Sequence, residues 1–216
     1  MNIIIIGAGK GISSSVAKLF GQNGFNVCLV ARNEDKLQQE VSALASMNIV
    51  ARYKVADAGN EQQLIAVLND DVQQHGTPDV ILYNAYAPNF KKLEQETWEN
   101  IQAQMNVNVG GAFAVLKNFL PAAMKSGKGK FFFTGGGLSM YPQTTLVGLS
   151  MGKAALRNLV MSSALAAKPK SVHVATVTVC GFVKETDPKY NPDLIANEFW
   201  KLWQQTPEQF QTEIVY

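Results

Sequence analysis

A glycine-rich turn near the N-terminus is the first segment whose residues are suited to chemistry. Gly7-Ala8-Gly9-Lys10-Gly11-Ile12 follows the apolar run NIIII and precedes a helical pattern. Glycines at such a junction let the backbone approach a pyrophosphate, and the helix start offers free N–H groups and a positive dipole end. Because Ile12 replaces the last glycine of G-x-G-x-x-G, a tight turn without a ligand is the alternative. We predict a dinucleotide site that includes Gly7, Gly11 and Ile12.

Two basic residues, Lys10 and Arg32, are placed to select between two dinucleotides. Arg32 follows the second predicted strand, where an NAD-binding protein commonly carries an acidic residue for the ribose 2′-hydroxyl. A guanidinium forks onto a phosphate and an ammonium adds a point charge, so the pair suits a 2′-phosphate. We therefore predict NADP as cofactor, with NADPH preferred over NADH. Two solvated surface charges are the alternative interpretation.

Strand-like runs alternate with helical patterns along the chain. The predicted strands are NIIII, FNVCLVA, IVARYKV, DVILYN, GKFFFTG and SVHVATVTV, with TEIVY as a short last strand. Helices are predicted over 11–23, 34–47, 61–75, 97–124, 146–168 and 193–205. Near-continuous apolar strands are typical of sheets covered on both faces, and the alternation indicates βαβ units. We predict an α/β fold, a doubly wound parallel sheet (Rossmann fold), in a single NADP-binding domain over 1–216.

Composition narrows the classes of partner. The chain has 216 residues with 19 basic and 17 acidic side chains, and no block of basic residues. We expect neither nucleic acid nor a membrane as a partner. The first apolar run is too short for a signal segment, so we expect a cytoplasmic protein. No His/Cys/Asp/Glu cluster has metal-ligand spacing, so no metal site is predicted. Three tryptophans, Trp98, Trp200 and Trp203, are expected to pack inside the protein.

Several motifs together resemble the classical short-chain dehydrogenase/reductase family over essentially the whole length. The family's GxxxGxG appears as Gly7 and Gly11, with Ser13 in place of the last glycine. Its NNAG motif appears as Tyr83-Asn84-Ala85-Tyr86, and its acidic residue after the third strand as Asp57. The resemblance implies that Asp57 contacts the adenine and that Asn84 and Ala85 also lie at the cofactor.

The catalytic part of the resemblance is incomplete. The family combines a serine after the fifth strand, an asparagine in N-V-x-G-x-F and a Y-x-x-x-K pair. Asn108 in NVGGAF and Lys153 match, but Leu149 stands at the tyrosine and Gly136 most nearly at the serine. The resemblance makes Asn108 and Lys153 the candidate catalytic residues and gives Lys153 a second role at the nicotinamide ribose. An exposed helix lysine and an asparagine satisfied between helices are the alternatives.

A missing tyrosine changes the expected chemistry. A phenol near an ammonium can deliver a proton as charge develops on a substrate oxygen, and leucine cannot. The resemblance implies an NADP(H)-dependent oxidoreductase with an altered proton relay, acting on an unidentified small molecule. Another hydroxyl could replace the missing proton donor. Alternatively, the substrate could need less acid catalysis, as an iminium or a conjugated alkene does. Four side chains are candidates for a replacement proton donor: Ser139, Tyr141, Tyr83 and Tyr86.

Two alternatives from other classes stay open. The first is a catalytically silent NADP-binding sensor that acts through partner association. The second is a structural subunit whose cofactor only stabilises the fold. The predicted helices 97–124 and 146–168 carry more apolar residues than one face against a sheet requires. Because the resembling family dimerises through these helices, we expect a homodimer or a homotetramer.

Overall fold

Seven parallel strands form one sheet in the order β3-β2-β1-β4-β5-β6-β7. The computed structural model describes residues 1–216. The strands are β1 Asn2–Ile6, β2 Asn26–Ala31, β3 Ala51–Val55, β4 Val80–Tyr83, β5 Lys130–Gly136, β6 His173–Val179 and β7 Glu213–Val215. The order reverses between β1 and β4, as in doubly wound sheets. The predicted α/β class, a doubly wound parallel sheet in a single domain, is confirmed.

Seven α-helices cover both faces of the sheet. They are α1 Ile12–Gln22, α2 Glu34–Ala45, α3 Glu61–His75, α4 Trp98–Met105, α5 Gly111–Ser126, α6 Val147–Ala167 and α7 Pro192–Gln204. Alternate residues of β1 enter different cores: Ile4 and Ile6 belong to one apolar cluster, whereas Ile3 and Ile5 belong to the other. Side chains of a strand alternate between faces, so a strand buried on both sides must be apolar throughout.

The helix predicted over 97–124 is present, but the expectation of an uninterrupted α-helix is wrong. The π-helical segment Asn106–Gly110 separates α4 from α5. Such a widened turn inside a helix is often found at functional sites, and this one contains Asn108. The prediction for Trp98 is also wrong, because this residue starts α4 with 68% of its surface exposed. Its two counterparts do pack: Trp200 lies edge-on against Phe20, and Trp203 against Phe25.

The continuous helical stretch Trp98–Ser126 is long and apolar enough to cross a membrane by length and composition alone. A helix that packs on a sheet passes the same test. Here Ala112, Ala114 and Val115 are fully buried within the fold. These residues show that one side of the stretch packs inside the fold.

Candidate functional site

A cavity of about 270 Å³ opens at the carboxyl edge of the sheet, between the ends of β1 and β4. This is the point where the strand order reverses, so helices that leave in opposite directions keep a crevice open between them. The lining residues are Gly7, Ala8, Gly9, Lys10, Ser13, Val30, Ala31, Arg32, Ala56, Asp57, Ala58, Asn84, Ala85, Tyr86, Ala87 and Val107. Six predicted cofactor residues are thus brought together: Gly7, Lys10, Arg32, Asp57, Asn84 and Ala85.

The glycine turn is shaped by close backbone contacts. Gly7 has a φ of 84°, and a Cβ added there would lie 2.4 Å from the Cα of Ala85. Only glycine lets β1 turn so close to the end of β4. By contrast, a Cβ on Gly9 would meet nothing within 4 Å, so space is left above the turn.

The N-terminus of α1 opens the first turn of the helix to a ligand. No side chain caps this helix, and its first turn contains no acidic residue. The first N–H groups of a helix have no partner within it, and their dipoles favour an anion. Ser13 instead stabilises the turn, since its hydroxyl accepts from the N–H of Gly9 at 3.1 Å and donates to the carbonyl of Gly9 at 2.9 Å. Backbone donors and open space at this place fit a pyrophosphate.

The charged residues that line the cavity follow the ends of β1, β2 and β3. Lys10 and Arg32 both line it, and neither forms an ion pair with an acidic side chain. Asp57 lines it too, and its Oδ1 accepts from the N–H of Gly59 at 2.8 Å. The remaining carboxylate oxygen of Asp57 can accept from a ligand amine. Two cations without an acidic partner are suited to a phosphate group, and the carboxylate of Asp57 is suited to an amine.

Gly11, Ile12 and Lys153 were also predicted at the cofactor but do not line the cavity. Gly11 precedes α1 with a φ of 100°, a conformation that favours glycine. Ile12 is the first residue of α1 and packs toward the apolar cluster that contains Val16. Gly11 and Ile12 thus form the junction between the glycine turn and α1.

A hydrogen-bonded junction joins β1, β4, β5 and α6 below the cavity. The side chain of Asn84 donates to the carbonyl of Gly7 at 3.2 Å and accepts from the hydroxyl of Thr134 at 2.7 Å. The carbonyl of Thr134 accepts from Nζ of Lys153 at 2.7 Å. Sequence reasoning missed Thr134, whose only signal is its position at the end of β5, beside the glycine run. This junction fixes the lysine relative to the glycine turn.

Lys153 is buried, contrary to the alternative of an exposed helix lysine. Burial lowers the pKa of its ammonium to about 8. Its Nζ lies 6.0 Å from the ring centroid of Tyr86, which is one of the cavity-lining side chains. Thr134 is its one hydrogen-bond acceptor within the protein, so the ammonium retains N–H groups for a ligand.

Asn108 is also buried, and its side chain bonds reciprocally with the backbone of Ala87. Its Oδ1 accepts from the N–H of Ala87 at 2.8 Å, and its Nδ2 donates to the carbonyl of the same residue at 3.3 Å. The segment that follows β4 along the cavity wall is thereby fixed. A Cβ on Gly152 would lie 2.7 Å from the Cβ of Asn108, so glycine allows α6 to approach the π-helical segment. This contact places Asn108 close to the turn that carries Lys153.

The positions of the missing tyrosine and serine both lie near Lys153. Leu149 precedes it by one helical turn and is only 7% exposed. A Cβ on Gly136 would lie 3.6 Å from Cε of Lys153, an ordinary contact distance. The site therefore retains an ammonium without the two hydroxyls that would accompany it in the family.

The four candidate replacement donors differ in their surroundings. Tyr83 donates to the carbonyl of Val107, and burial raises the pKa of its phenol above the usual range. It is therefore unsuited to deliver a proton. Tyr86 and Tyr141 are largely exposed. The hydroxyl of Ser139 is buried without a hydrogen-bond partner and lines a second cavity beside α6, which does not include Lys153.

No group of three or more His, Cys, Asp or Glu side chains is arranged to hold a metal ion. His173, at the opposite edge of the sheet, stacks on Phe210 with ring centroids 4.0 Å apart. Burial lowers the pKa of its imidazole to about 4. This histidine packs within the core and lies away from the cavity.

Comparison with known proteins agrees with this geometry. A solved metagenomic short-chain oxidoreductase in complex with NADP has a TM-score of 0.91 at 22% identity, covering 100% of this chain and 96% of that one. An uncharacterized oxidoreductase of Thermotoga maritima is 27% identical over 76% of this chain and 64% of its own length. A peroxisomal 2,4-dienoyl-CoA reductase [(3E)-enoyl-CoA-producing] of Arabidopsis thaliana is 28% identical over 66% of this chain and 48% of its own. The sequence profile of the short chain dehydrogenase family matches residues 1–193. The chain therefore belongs to the short-chain dehydrogenase family.

Proposed function

We propose that this chain is an NADP(H)-dependent oxidoreductase with an altered proton relay, acting on a small molecule in the cytoplasm. One observation carries the proposal: Lys10 and Arg32 line the cavity, and the buried ammonium of Lys153 is hydrogen-bonded to Thr134, which in turn bonds Asn84 of the cavity wall. A protein that had lost cofactor chemistry altogether would have no reason to bury a lysine at this point, since burial of a charge is costly.

The cofactor assignment rests on the residues around the cavity. The N–H groups at the start of α1 would bind the pyrophosphate, and Lys10 with Arg32 would bind the 2′-phosphate. Asp57 would accept from the adenine, while Asn84 and Ala85 hold the wall beside the nicotinamide half. The related metagenomic oxidoreductase is described as a complex with NADP, which supports the same choice here.

A bound nicotinamide would supply a hydride, and the residues of this chain would then stabilise the charge that develops on the substrate. The N–H groups of Lys153 that Thr134 leaves free would be donors to that charge. Without the phenol and the serine hydroxyl, an isolated ketone loses general acid catalysis worth about 10²–10⁴ in rate. It also loses an oxyanion hydrogen bond worth about 10²–10³. A simple ketone is therefore a poor substrate.

We propose a conjugated alkene as the substrate class. Hydride addition to an alkene conjugated to a carbonyl spreads the charge over several atoms, so it depends less on a proton donor at the moment of transfer. The proton can then reach the resulting enolate from the ammonium of Lys153 or from water. A relative in Arabidopsis thaliana is named as a 2,4-dienoyl-CoA reductase, and this name supports reduction of a conjugated alkene.

The test is a comparison of acceptors with purified protein and NADPH deuterated at C4. An α,β-unsaturated ketone should gain deuterium at its β-carbon, and the saturated ketone of the same length should stay unreduced. The variant Lys153→Met should lose this transfer. Reduction of the carbonyl group alone, or equal rates with both acceptors, would contradict the proposal.

An NADP-binding sensor without turnover is the second candidate. It is favoured by Leu149, which fills the tyrosine position with an apolar, buried side chain. In that case NADPH binds, no acceptor is reduced, and the nucleotide changes association with a partner. The deuterium experiment separates the two candidates, because only an oxidoreductase transfers the label.

We also propose a homodimer or homotetramer that forms through α5 and α6. Phe113 on α5 and Met151 and Leu165 on α6 are exposed, although large apolar side chains usually avoid water. Sedimentation of the wild type should show an assembly larger than one chain. The variant Leu165→Glu, which changes an 81% exposed side chain, should shift it toward a monomer.

A further inference from the structure

Four exposed aromatic side chains lie in the loops that follow β4, β5 and β6. Tyr86 and Phe90 follow β4, Tyr141 follows β5 and Phe182 follows β6, each 57–87% exposed. The carboxyl ends of these neighbouring parallel strands meet at one edge of the sheet, so their loops leave the same place. These four residues are called the aromatic collar.

Direct contacts hold the three loops of the aromatic collar together. Lys91, beside Phe90, forms a bridge with Leu146, which ends the loop of Tyr141. At the start of that loop, a Cβ on Gly137 would lie 3.1 Å from the Cα of Cys180. Tyr86 connects the collar to the cofactor cavity, because it lines that cavity and faces Lys153. The collar is therefore continuous with the proposed site of hydride transfer.

The loop after β6 is anchored and does not cover the collar. A Cβ on Gly181 would fall 2.1 Å from the ring of Tyr190, so this ring lies flat on the backbone of the loop. Oδ1 of Asp187 accepts from the N–H of Lys189 at 2.8 Å and from that of Tyr190 at 2.7 Å. The ring of Tyr216 packs edge-on against Tyr190, with centroids 5.9 Å apart. Phe182 in this anchored loop is 87% exposed.

The charges of the three loops indicate which chemical class of ligand the aromatic collar would bind. Residues 86–96 carry two lysines and two glutamates, residues 137–146 carry no charged side chain, and residues 180–191 carry two lysines, one glutamate and one aspartate. Positive and negative charges are thus equal in each loop. A carrier that contains several phosphates would require a basic surface here. An exposed aromatic surface without net charge instead suits a planar, uncharged molecule.

We propose that the aromatic collar binds the aryl group of a neutral aryl-conjugated enone, and that this is the substrate class of the site. The inference rests on the proposed reduction of a conjugated alkene. It differs from that proposal in naming a free aromatic substrate and in excluding a coenzyme A thioester. Offset or edge-on contacts between aromatic rings stabilise a complex beyond the effect of buried area, which a saturated ring does not reproduce.

Binding to the NADP⁺ complex tests the inference without any need for turnover. The probes are 4-phenyl-3-buten-2-one and 4-cyclohexyl-3-buten-2-one, which share the enone and differ only in the ring. Affinities are measured by ligand-observed NMR titration, with cinnamoyl-CoA as the charged carrier of the same aryl group. The phenyl enone should bind about two- to tenfold more tightly than the cyclohexyl enone, although the saturated ring is at least as apolar.

A matched pair of variants locates the binding surface. Phe182→Ser should reduce the affinity for the phenyl enone to that for the cyclohexyl enone. Val50→Ser changes a side chain that is 66% exposed before β3, at the opposite edge of the sheet, and should leave both affinities unchanged. Because Phe182 is 87% exposed, its replacement should not alter the melting temperature.

Three results would overturn the inference: no binding of the phenyl enone, equal or tighter binding of the cyclohexyl enone, or an unchanged phenyl affinity in Phe182→Ser. Tighter binding of cinnamoyl-CoA than of the phenyl enone would also overturn it. Selective binding of the phenyl enone without NADPH oxidation would support the collar and contradict the proposed reduction. If both enones oxidised NADPH and bound with equal affinity, the proposed reduction would be supported and the role of the aromatic collar would be contradicted.

Discussion

Restoring the phenol at position 149 should create carbonyl reductase activity. Leu149 precedes Lys153 by four residues, so a tyrosine there lies on the same helical face as the ammonium. Leu149 is 7% exposed, so any larger side chain must displace neighbours at a cost of about 1–3 kcal/mol. The variant Leu149→Phe carries the same packing cost without the hydroxyl. The ratio of kcat/KM between Leu149→Tyr and Leu149→Phe therefore measures the effect of the proton donor alone.

The expected size of this ratio follows from general acid catalysis. With acetophenone and NADPH, kcat/KM of Leu149→Tyr should exceed that of Leu149→Phe by about 10²–10⁴. The second substitution Gly136→Ser should add up to about 10²–10³, because it restores an oxyanion donor. The backbone at Gly136 is extended, and the new Cβ would lie 3.6 Å from Cε of Lys153, so a serine fits without strain.

The assay follows NADPH absorbance under steady-state conditions, with nucleotide affinity measured separately for each variant. A ratio near one, with NADPH affinities like that of the wild type, would refute the reasoning. It would mean that the pocket no longer brings a carbonyl oxygen to position 149. Loss of nucleotide binding in both variants would instead report disturbed packing of α6, and melting temperatures would show it.

Three further predictions concern the cavity and the core. Gly9→Ala should weaken NADPH binding by at least about tenfold in a titration and leave the melting temperature unchanged, because its Cβ enters only the open space above the turn. Asp71→Ala should lower the free energy of unfolding in urea by about 3 kcal/mol, because it leaves Arg52 without its buried partner. Asp70→Ala removes a half-exposed partner of Lys54 and should lower the same free energy by less than about 1 kcal/mol. Burial lowers the pKa of Lys153 to about 8 from 10.5, so the folded chain binds fewer protons between these pH values and its stability should rise with pH across that window. In urea unfolding, the stability of the wild type relative to Lys153→Met should increase by about 3 kcal/mol from pH 8 to 10.5; an unchanged difference would contradict the lowered pKa.

The sheet was predictable because its residues leave few alternatives. A strand such as IIII in β1 can be buried only between two layers, and the helical patterns between strands supply those layers. Helix ends were predicted within about two residues where a local signal exists, as at Asn60, whose side chain caps α3. These features depend on residues that are near in sequence.

The interruption after α4 depends on tertiary contacts and has no local signal of that kind. Asn108 is drawn toward Ala87 by two hydrogen bonds, and Gly152 lets α6 come close to it. A pattern of apolar residues shows one helix here, because a single widened turn hardly changes the periodicity. The prediction that Trp98 packs was wrong for a related reason. A helical pattern does not show which face of a helix's terminal turn lies against the core.

The site was predictable in part. Motif positions were enough to select six residues of the cavity wall, because glycine turns and strand ends occur in a fixed order along the chain. The role of Thr134 was not predictable, since its carbonyl acts as a backbone group that any residue supplies. The absence of Gly11 and Ile12 from the cavity lining also depends on how the turn folds, which the motif does not specify.

Titration of the purified chain with NADPH and NADH, followed by intrinsic fluorescence, tests the central claim most directly. NADPH should bind more tightly than NADH, and Arg32→Ala should weaken NADPH binding by about 10- to 100-fold, the effect of a lost charge-assisted hydrogen bond. The same variant should leave NADH binding unchanged, because NADH has no 2′-phosphate. Equal binding of both nucleotides by the wild type, or no binding of either, would contradict the account.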